Sequence, residues 1–365
     1  MYIITFGISL VFIYMSEKIK YCKQLFIILG LLVPSILAGV RDYSVGTDVL
    51  LYGNSWFERA VQIDSLSNYL SKANEYGVGL GYAFINFIIS RFTNNAHVFY
   101  FLYELLQLTI LYYVLKRYQD KISITFAFAI YYFCYFNISL NLLRQIMAVL
   151  LVLYSYRYVE DKKIIKFIVT IFIATLVHNS AIVGIVLFPI KVAVDNKQWK
   201  KIFKILVIGS CLLAVFLYEQ IFNLLSSYGI NGVERYAHYM TDTEVGGRFV
   251  RLFYWGILLI IILLKRKKCE LYYKEFEFLQ LLMLISTVGS LFMFIGSTWI
   301  IRIVYYFDIF QIIYMPILAH NMEIVYGPGR KKVGYFILML LVIVNWLITF
   351  VIRNGGGTYP FVFMK

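Results

Sequence analysis

Apolar residues run through this chain in thirteen blocks, at about 2–16, 25–40, 77–92, 98–115, 122–137, 142–158, 164–178, 180–194, 202–221, 249–264, 277–296, 299–320 and 333–352. The blocks are apolar all round, so they predict helices buried on every side, as bilayer spans are. Between them lie six basic linkers: "EKIKYCK", "KRYQDK", "RYVEDKKIIK", "KVAVDNKQWKKIFK", "KRKKCELYYK" and "GRKK". Short linkers rich in Lys and Arg stay cytoplasmic. All six fall inside only if one block between residues 41 and 115 fails to cross. The weakest is "GVGLGYAFINFIISRF", residues 77–92, with three early glycines and a helical length of about 24 Å against a ~30 Å hydrocarbon core. It is therefore expected to dip into or lie along the outer leaflet. About twelve transmembrane helices follow, in one all-α polytopic domain over 1–365 with both termini outside. A long outer loop spans 41–97, carrying interfacial helices at about 48–62 and 77–92, and a second outer loop spans 222–248.

Composition agrees with this pattern. The 365 residues are 61% hydrophobic and 15% charged, with mean hydropathy +0.75, more apolar surface than one soluble core can bury. The residues before the first block lack a signal peptide's basic lead-in, so 2–16 is expected to be retained. The four cysteines are scattered among apolar residues and suggest neither disulfides nor a metal site. A net charge of +14 resides mostly in the inner linkers facing anionic headgroups, so nucleic acid is not an expected partner.

One asymmetry is left over. The inner linkers hold nineteen Lys and four Arg, while the outer side holds nine Arg and two Lys. The positive-inside rule does not distinguish the two residue types, but anion recognition does, because the guanidinium fork binds phosphate or carboxylate bidentately. The outer face is expected to hold an anion. Its polar breaks supply the candidates. In "RDYSVGTDVLLYGNSWFERA", Gly46 turns the chain, Thr47 caps a helix over 48–62, and Asp48 sits in the first turn, where the macrodipole favours an ionised acceptor. Val49, Trp56, Phe57, Ala60 and Val61 form the apolar stripe, with Tyr52 and Arg59 on the other side. Arg144 stands at the outer mouth of a span in "NLLRQ", where a charge needs a counter-ion such as Glu104 or a ligand. In "EVGGRFVRLFYW", Arg248 and Arg251 share one helix face, with Asp242 and Glu244 just upstream as pairing partners or sugar ligands. His178 interrupts an apolar run in "LVHNSAI". Arg302 is a weaker candidate for a lipid phosphate, and Asp308 is expected to be structural.

The ordered set "RDYSVGTDVLLY", "EYGVGLGYAFINFI" and "LLRQIMAVLLVLYSYRYVEDKKIIKFIVTIFIATLVHNSAIVGIVLFP", over residues 41–189, resembles the EpsG-like family of bacterial polysaccharide polymerases, related to Wzy-type repeat-unit polymerases. The terminal "GTYPFVFMK" is similar to the family's tail but has Phe361 where Tyr is usual. A more distant likeness to GT-C glycosyltransferases implies an acidic residue in the first outer loop followed by helices along the membrane. The resemblance implies polymerisation of polyprenyl-pyrophosphate-linked repeat units into O-antigen, capsular or exopolysaccharide at the outer face of the bacterial cytoplasmic membrane. A chain-length regulator and a flippase would be pathway partners.

Such chemistry needs a base for the acceptor hydroxyl and cations for the leaving pyrophosphate. Asp48 is assigned as the base, with Glu75 its rival and His178 as part of an acid/base relay or a ligand. Arg41, Arg144, Arg248 and Arg251 are assigned to pyrophosphate, and Tyr52 to sugar stacking. No cofactor is expected, and no metal-ligand spacing occurs, although Asp42, Asp48 and Asp242 leave Mg²⁺ open. The alternatives are a GT-C-type transferase using a polyprenyl-phosphate sugar to decorate a glycan, and a flippase for a lipid-linked glycan.

Overall fold

The computed structural model describes residues 1–196, 245–269, 276–295, 300–326 and 330–364, and the isolated positions 202, 205, 206 and 209. Among them the chain is all-helical, with a single isolated bridge between Arg41 and Phe363 and no strand. Asp242, Glu244 and most of the expected 222–248 loop lie outside the described residues, as does most of the 202–221 block.

Among the described residues three helices are long and apolar enough to cross a bilayer: α6 (Ala96–Lys116), α7 (Ile124–Asn141) and α15 (Lys332–Ile352). The expected span at 299–320 is a bent pair instead, with Ile301–Asp308 in α13 (Ile300–Asp308) and Gln311–His320 in α14 (Gln311–Tyr326) meeting at 42°. Apolar helices α2 (Lys23–Gly39) and α9 (Ile164–Val177) are shorter, as is the apolar part Phe276–Leu291 of α12 (Phe276–Ile295). The expected span at 180–194 starts as a tight 3₁₀ segment, Asn179–Val186, before α10 (Leu187–Asp195). This is a membrane protein, with fewer full-length spans among its described residues than the apolar blocks suggest.

Polar contacts sort the helix ends into two groups. At one end, Arg117 bonds Glu160 and Asp161 at 2.8 and 2.6 Å, Lys23 bonds Gln119 at 2.8 Å, and Thr125 donates to Glu17 at 2.9 Å. Three of the basic linkers therefore converge there. The first of these contacts also fixes the path of α7 and α8 (Leu143–Glu160). Only Leu142 separates them, yet Arg117, in the linker that leads into α7, bonds Glu160 and Asp161 at the end of α8, so the two helices form a V with its apex at Asn141–Leu142.

The opposite end is built around that apex. The loop after α2 runs beneath the C-terminal tail: Asp42 N–H donates to Val362 O at 2.8 Å, Met364 N–H to Val40 O at 2.9 Å, and Gly46 N–H to Gly357 O at 2.9 Å. The Tyr2 hydroxyl, at the start of α1 (Tyr2–Lys18), donates to Thr358 O. Gly46 has φ +103°, and a Cβ there would stand 3.0 Å from Leu140 O and 2.9 Å from Val49, so glycine is required for the loop to reach the apex.

The expected helix over 48–62 is two pieces. A wide π-type turn covers Val49–Asn54 and α3 covers Ser55–Gln62. Asp48 precedes the turn, and no side-chain cap forms there, because the Thr47 hydroxyl donates to Asn141 Oδ1 at 3.2 Å. The apolar stripe faces inward as the spacing requires, with Val49, Trp56, Phe57 and Ala60 buried against protein. After α4 (Leu66–Glu75), α5 (Leu80–Ser90) has 11 residues and rises about 16 Å, about half the thickness of a bilayer core. Its first turn presses on the end of α9: a Cβ on Gly79 would lie 2.3 Å from Val177 O.

Candidate functional site

At the end of the molecule opposite the converged linkers, a small pocket is lined by Asp48, Tyr52, Tyr82, Asn141–Gln145, His178 and Arg302. Four candidates from distant parts of the sequence thus face one space. Asp48 comes from the loop after α2, Arg144 from the first turn of α8, His178 from the turn between α9 and the 3₁₀ segment, and Arg302 from α13.

Each is held by an identifiable contact. The Asp48 backbone N–H donates to Asn141 Oδ1 at 2.8 Å. Among the described residues no hydrogen-bond donor meets its carboxylate. Partial burial raises the Asp48 carboxyl above the usual carboxylate range, while Arg302 and Arg144 pull it back down. The result is a carboxylate made more basic yet kept within reach of two cations. The Arg144 guanidinium lies 4.7 Å from the Tyr52 ring centroid and 5.8 Å from that of Tyr82. Aromatic faces orient a guanidinium while leaving its N–H groups for an anion. Close packing at Gly79 brings Tyr82 there, a link the sequence shows only as a glycine-rich helix start. His178 Nδ1 is 2.7 Å from Ser180 Oγ, which is 2.9 Å from the Tyr306 hydroxyl. That chain fixes the imidazole ring and leaves Nε2 as its ligand atom. Gln145 donates to the Arg302 carbonyl at 2.5 Å, fastening α13 to α8.

Other candidates lie elsewhere. Arg41 is wholly buried: one nitrogen donates to Leu140 O at 2.8 Å, and the guanidinium stacks 4.4 Å from the Tyr100 centroid. It supports the apex from behind and lines neither this pocket nor the larger cavity beside it. Among the described residues Glu104 forms no ion pair with Arg144; its carboxylate accepts the Ser139 hydroxyl at 3.0 Å. Glu75 is exposed at the end of α4 and lines neither this pocket nor the larger cavity beside it.

Arg248 and Arg251 lie on α11 (Val245–Cys269). Arg251 forms an ion pair with Asp308, whose side chain is 1% exposed, so its charge is already matched; Arg248 lines neither space. The two arginines are not brought together on either space. Asn141, absent from the candidates because an amide at a helix end carries no chemical signature, proves central. It lines both spaces and holds both Thr47 and Asp48. Among the described residues no group of His, Cys, Asp and Glu is arranged to hold a metal ion.

The arrangement pairs a carboxylate of raised basicity with two guanidinium groups and an oriented imidazole, a set suited to deprotonating a hydroxyl beside a departing anion. Residues 23–363 match the sequence profile of the EpsG family. No curated protein and no solved structure matches the chain.

Proposed function

Given that the chain belongs to the EpsG family, we propose that it is a polysaccharide polymerase that joins polyprenyl-pyrophosphate-linked oligosaccharide repeat units at the outer face of the cytoplasmic membrane. The observation that carries this reading is the convergence of Asp48, Arg144, His178 and Arg302 on one pocket. Asp48 takes the proton of the acceptor hydroxyl as the oxygen attacks the anomeric carbon of the donor. The bond from that carbon to the pyrophosphate oxygen breaks, and the growing charge falls to Arg144 and Arg302. His178 Nε2 binds phosphate or returns a proton to it. The pocket's position opposite the basic linkers suits a donor presented on the outer leaflet, and the 11-residue α5 suits a helix resting on that leaflet.

The test is a product gel from purified protein in nanodiscs, supplied with a cognate lipid-linked repeat unit. A ladder from the wild type that disappears in a folded Asp48→Asn variant is expected. A single added sugar would instead indicate decoration of a glycan, and an unchanged ladder in the variant would remove Asp48 as the base.

A further inference from the structure

Beside the reaction pocket, and sharing Asn141, Leu142 and Arg302 with it, lies a 370 Å³ cavity between α7, α11, α13, α14, α15 and the tail. This lies within the volume range typical of small-molecule sites, roughly 300–1,000 Å³. Its lining is unusual for the interior of a membrane protein. Its one carboxylate, Asp308, pairs with Arg251, and its other arginine, Arg302, is shared with the reaction pocket. Gln311 is fixed between two tyrosines, accepting from Tyr254 and donating to Tyr135. The rest combines amides, hydroxyls and aromatic rings, Trp255 and Tyr305 among them, with the aliphatic Ile138, Leu142 and Ile301.

Two of those groups are unexplained by the fold. Asn345 and Thr349 both line the cavity from α15, one of the span-length apolar helices. They are four residues apart and so share one face. Neither side chain makes a hydrogen bond to any described residue, even the common threonine bond to the preceding turn. Polar side chains on an apolar span are costly unless a partner meets them. With Arg251 matched by Asp308 and Arg302 shared with the reaction pocket, the cavity has no unmatched cation of its own for a bare pyrophosphate. Amides and hydroxyls beside aromatic faces are the lining that binds an uncharged polyol.

We propose that this cavity is a saccharide subsite that holds an uncharged sugar of the glycan next to the reacting bond, with Asn345 and Thr349 bonding its hydroxyls and Trp255 against a ring face. The assignment of the sugar as part of a polymerase substrate rests on the reading above, but the binding itself can be measured separately.

The experiment titrates the free repeat oligosaccharide, cleaved from the host's own polysaccharide, into the full chain in nanodiscs. Binding is followed by saturation-transfer NMR and tryptophan fluorescence. The comparison is wild type, Asp48→Asn and the double variant Asn345→Leu/Thr349→Val, whose apolar replacements suit an apolar helix and leave folding unthreatened. Expected are saturable binding in the wild type, equal binding in Asp48→Asn, and affinity at least about tenfold weaker in the double variant, as loss of two hydrogen bonds implies. No binding to the wild type, or equal binding to the double variant, overturns the proposal. So does a double variant that keeps the oligosaccharide but loses inorganic pyrophosphate, which would make the cavity an anion site. A wild-type ladder with unaltered binding in the double variant defeats the subsite alone. Oligosaccharide binding lost in the double variant, with no ladder from the wild type, defeats the polymerase reading alone.

Discussion

Asn141 Oδ1 accepts the backbone N–H of Asp48 at 2.8 Å across 93 positions of sequence, and accepts the Thr47 hydroxyl as well. The pose of the carboxylate is thus set by the apex of the α7–α8 V. Replacing Asn141 by Ala removes both bonds, together worth about 1–3 kcal/mol. Polymer formation should fall about 10–100-fold with folded yield unchanged, measured by initial rates and by monodispersity in detergent.

The Asp48 carboxyl titrates above the usual carboxylate range because burial outweighs the pull of Arg302 and Arg144. A base works only when ionised, so the rate should drop as pH falls through that raised value. Removing a cation that lowers the value raises it further. The acidic limb of the rate profile for Arg302→Gln should therefore move to higher pH than in the wild type. A limb that stays in place would separate Asp48 from the reaction.

Arg144 is oriented by the faces of Tyr52 and Tyr82. Lysine keeps the charge but loses the planar fork, so Arg144→Lys should lower kcat by about a hundredfold, near the loss seen when one stabilising donor is removed. Tyr52→Leu should act in the same direction and more weakly. Single-turnover rates at saturating donor distinguish both from simple loss of binding.

Arg41 predicts the opposite pattern. Its guanidinium is sealed behind the apex, on Leu140 O and the Tyr100 ring. Arg41→Met should lower thermal stability in detergent by about 2 kcal/mol, and the surviving folded fraction should keep its KM for the lipid-linked donor. A raised KM without loss of stability would return Arg41 to the anion site.

The sequence made the polarity of the helix ends legible, because charge is costly in a bilayer and gathers where helices leave it. Three basic linkers converge at one end, and the breaks at Asp48, Arg144 and His178 converge at the other. What stayed hidden depends on contacts between distant segments. Arg41 and Arg144 look alike as lone arginines at span ends, and only the fold shows one facing Leu140 and the other facing a pocket. Arg251 with Arg248 has the spacing of a clamp, yet Asp308, 57 positions away, takes its charge. The V at Leu142 carries no glycine or proline to announce it, so Asn141 went unnoticed. The expected helix at 48–62 failed at its first turn, because Thr47 bonds Asn141 in place of capping.

The strap formed by residues 357–364 has a consequence for how the protein is made. Asp42 and Gly46 each donate to it, and Asp48 follows directly. A ribosome completes the 41–48 loop some three hundred residues before it reaches the strap. Until then Thr47 and Asp48 are anchored by Asn141, and the bonds that Asp42 and Gly46 donate close only once the strap has been made.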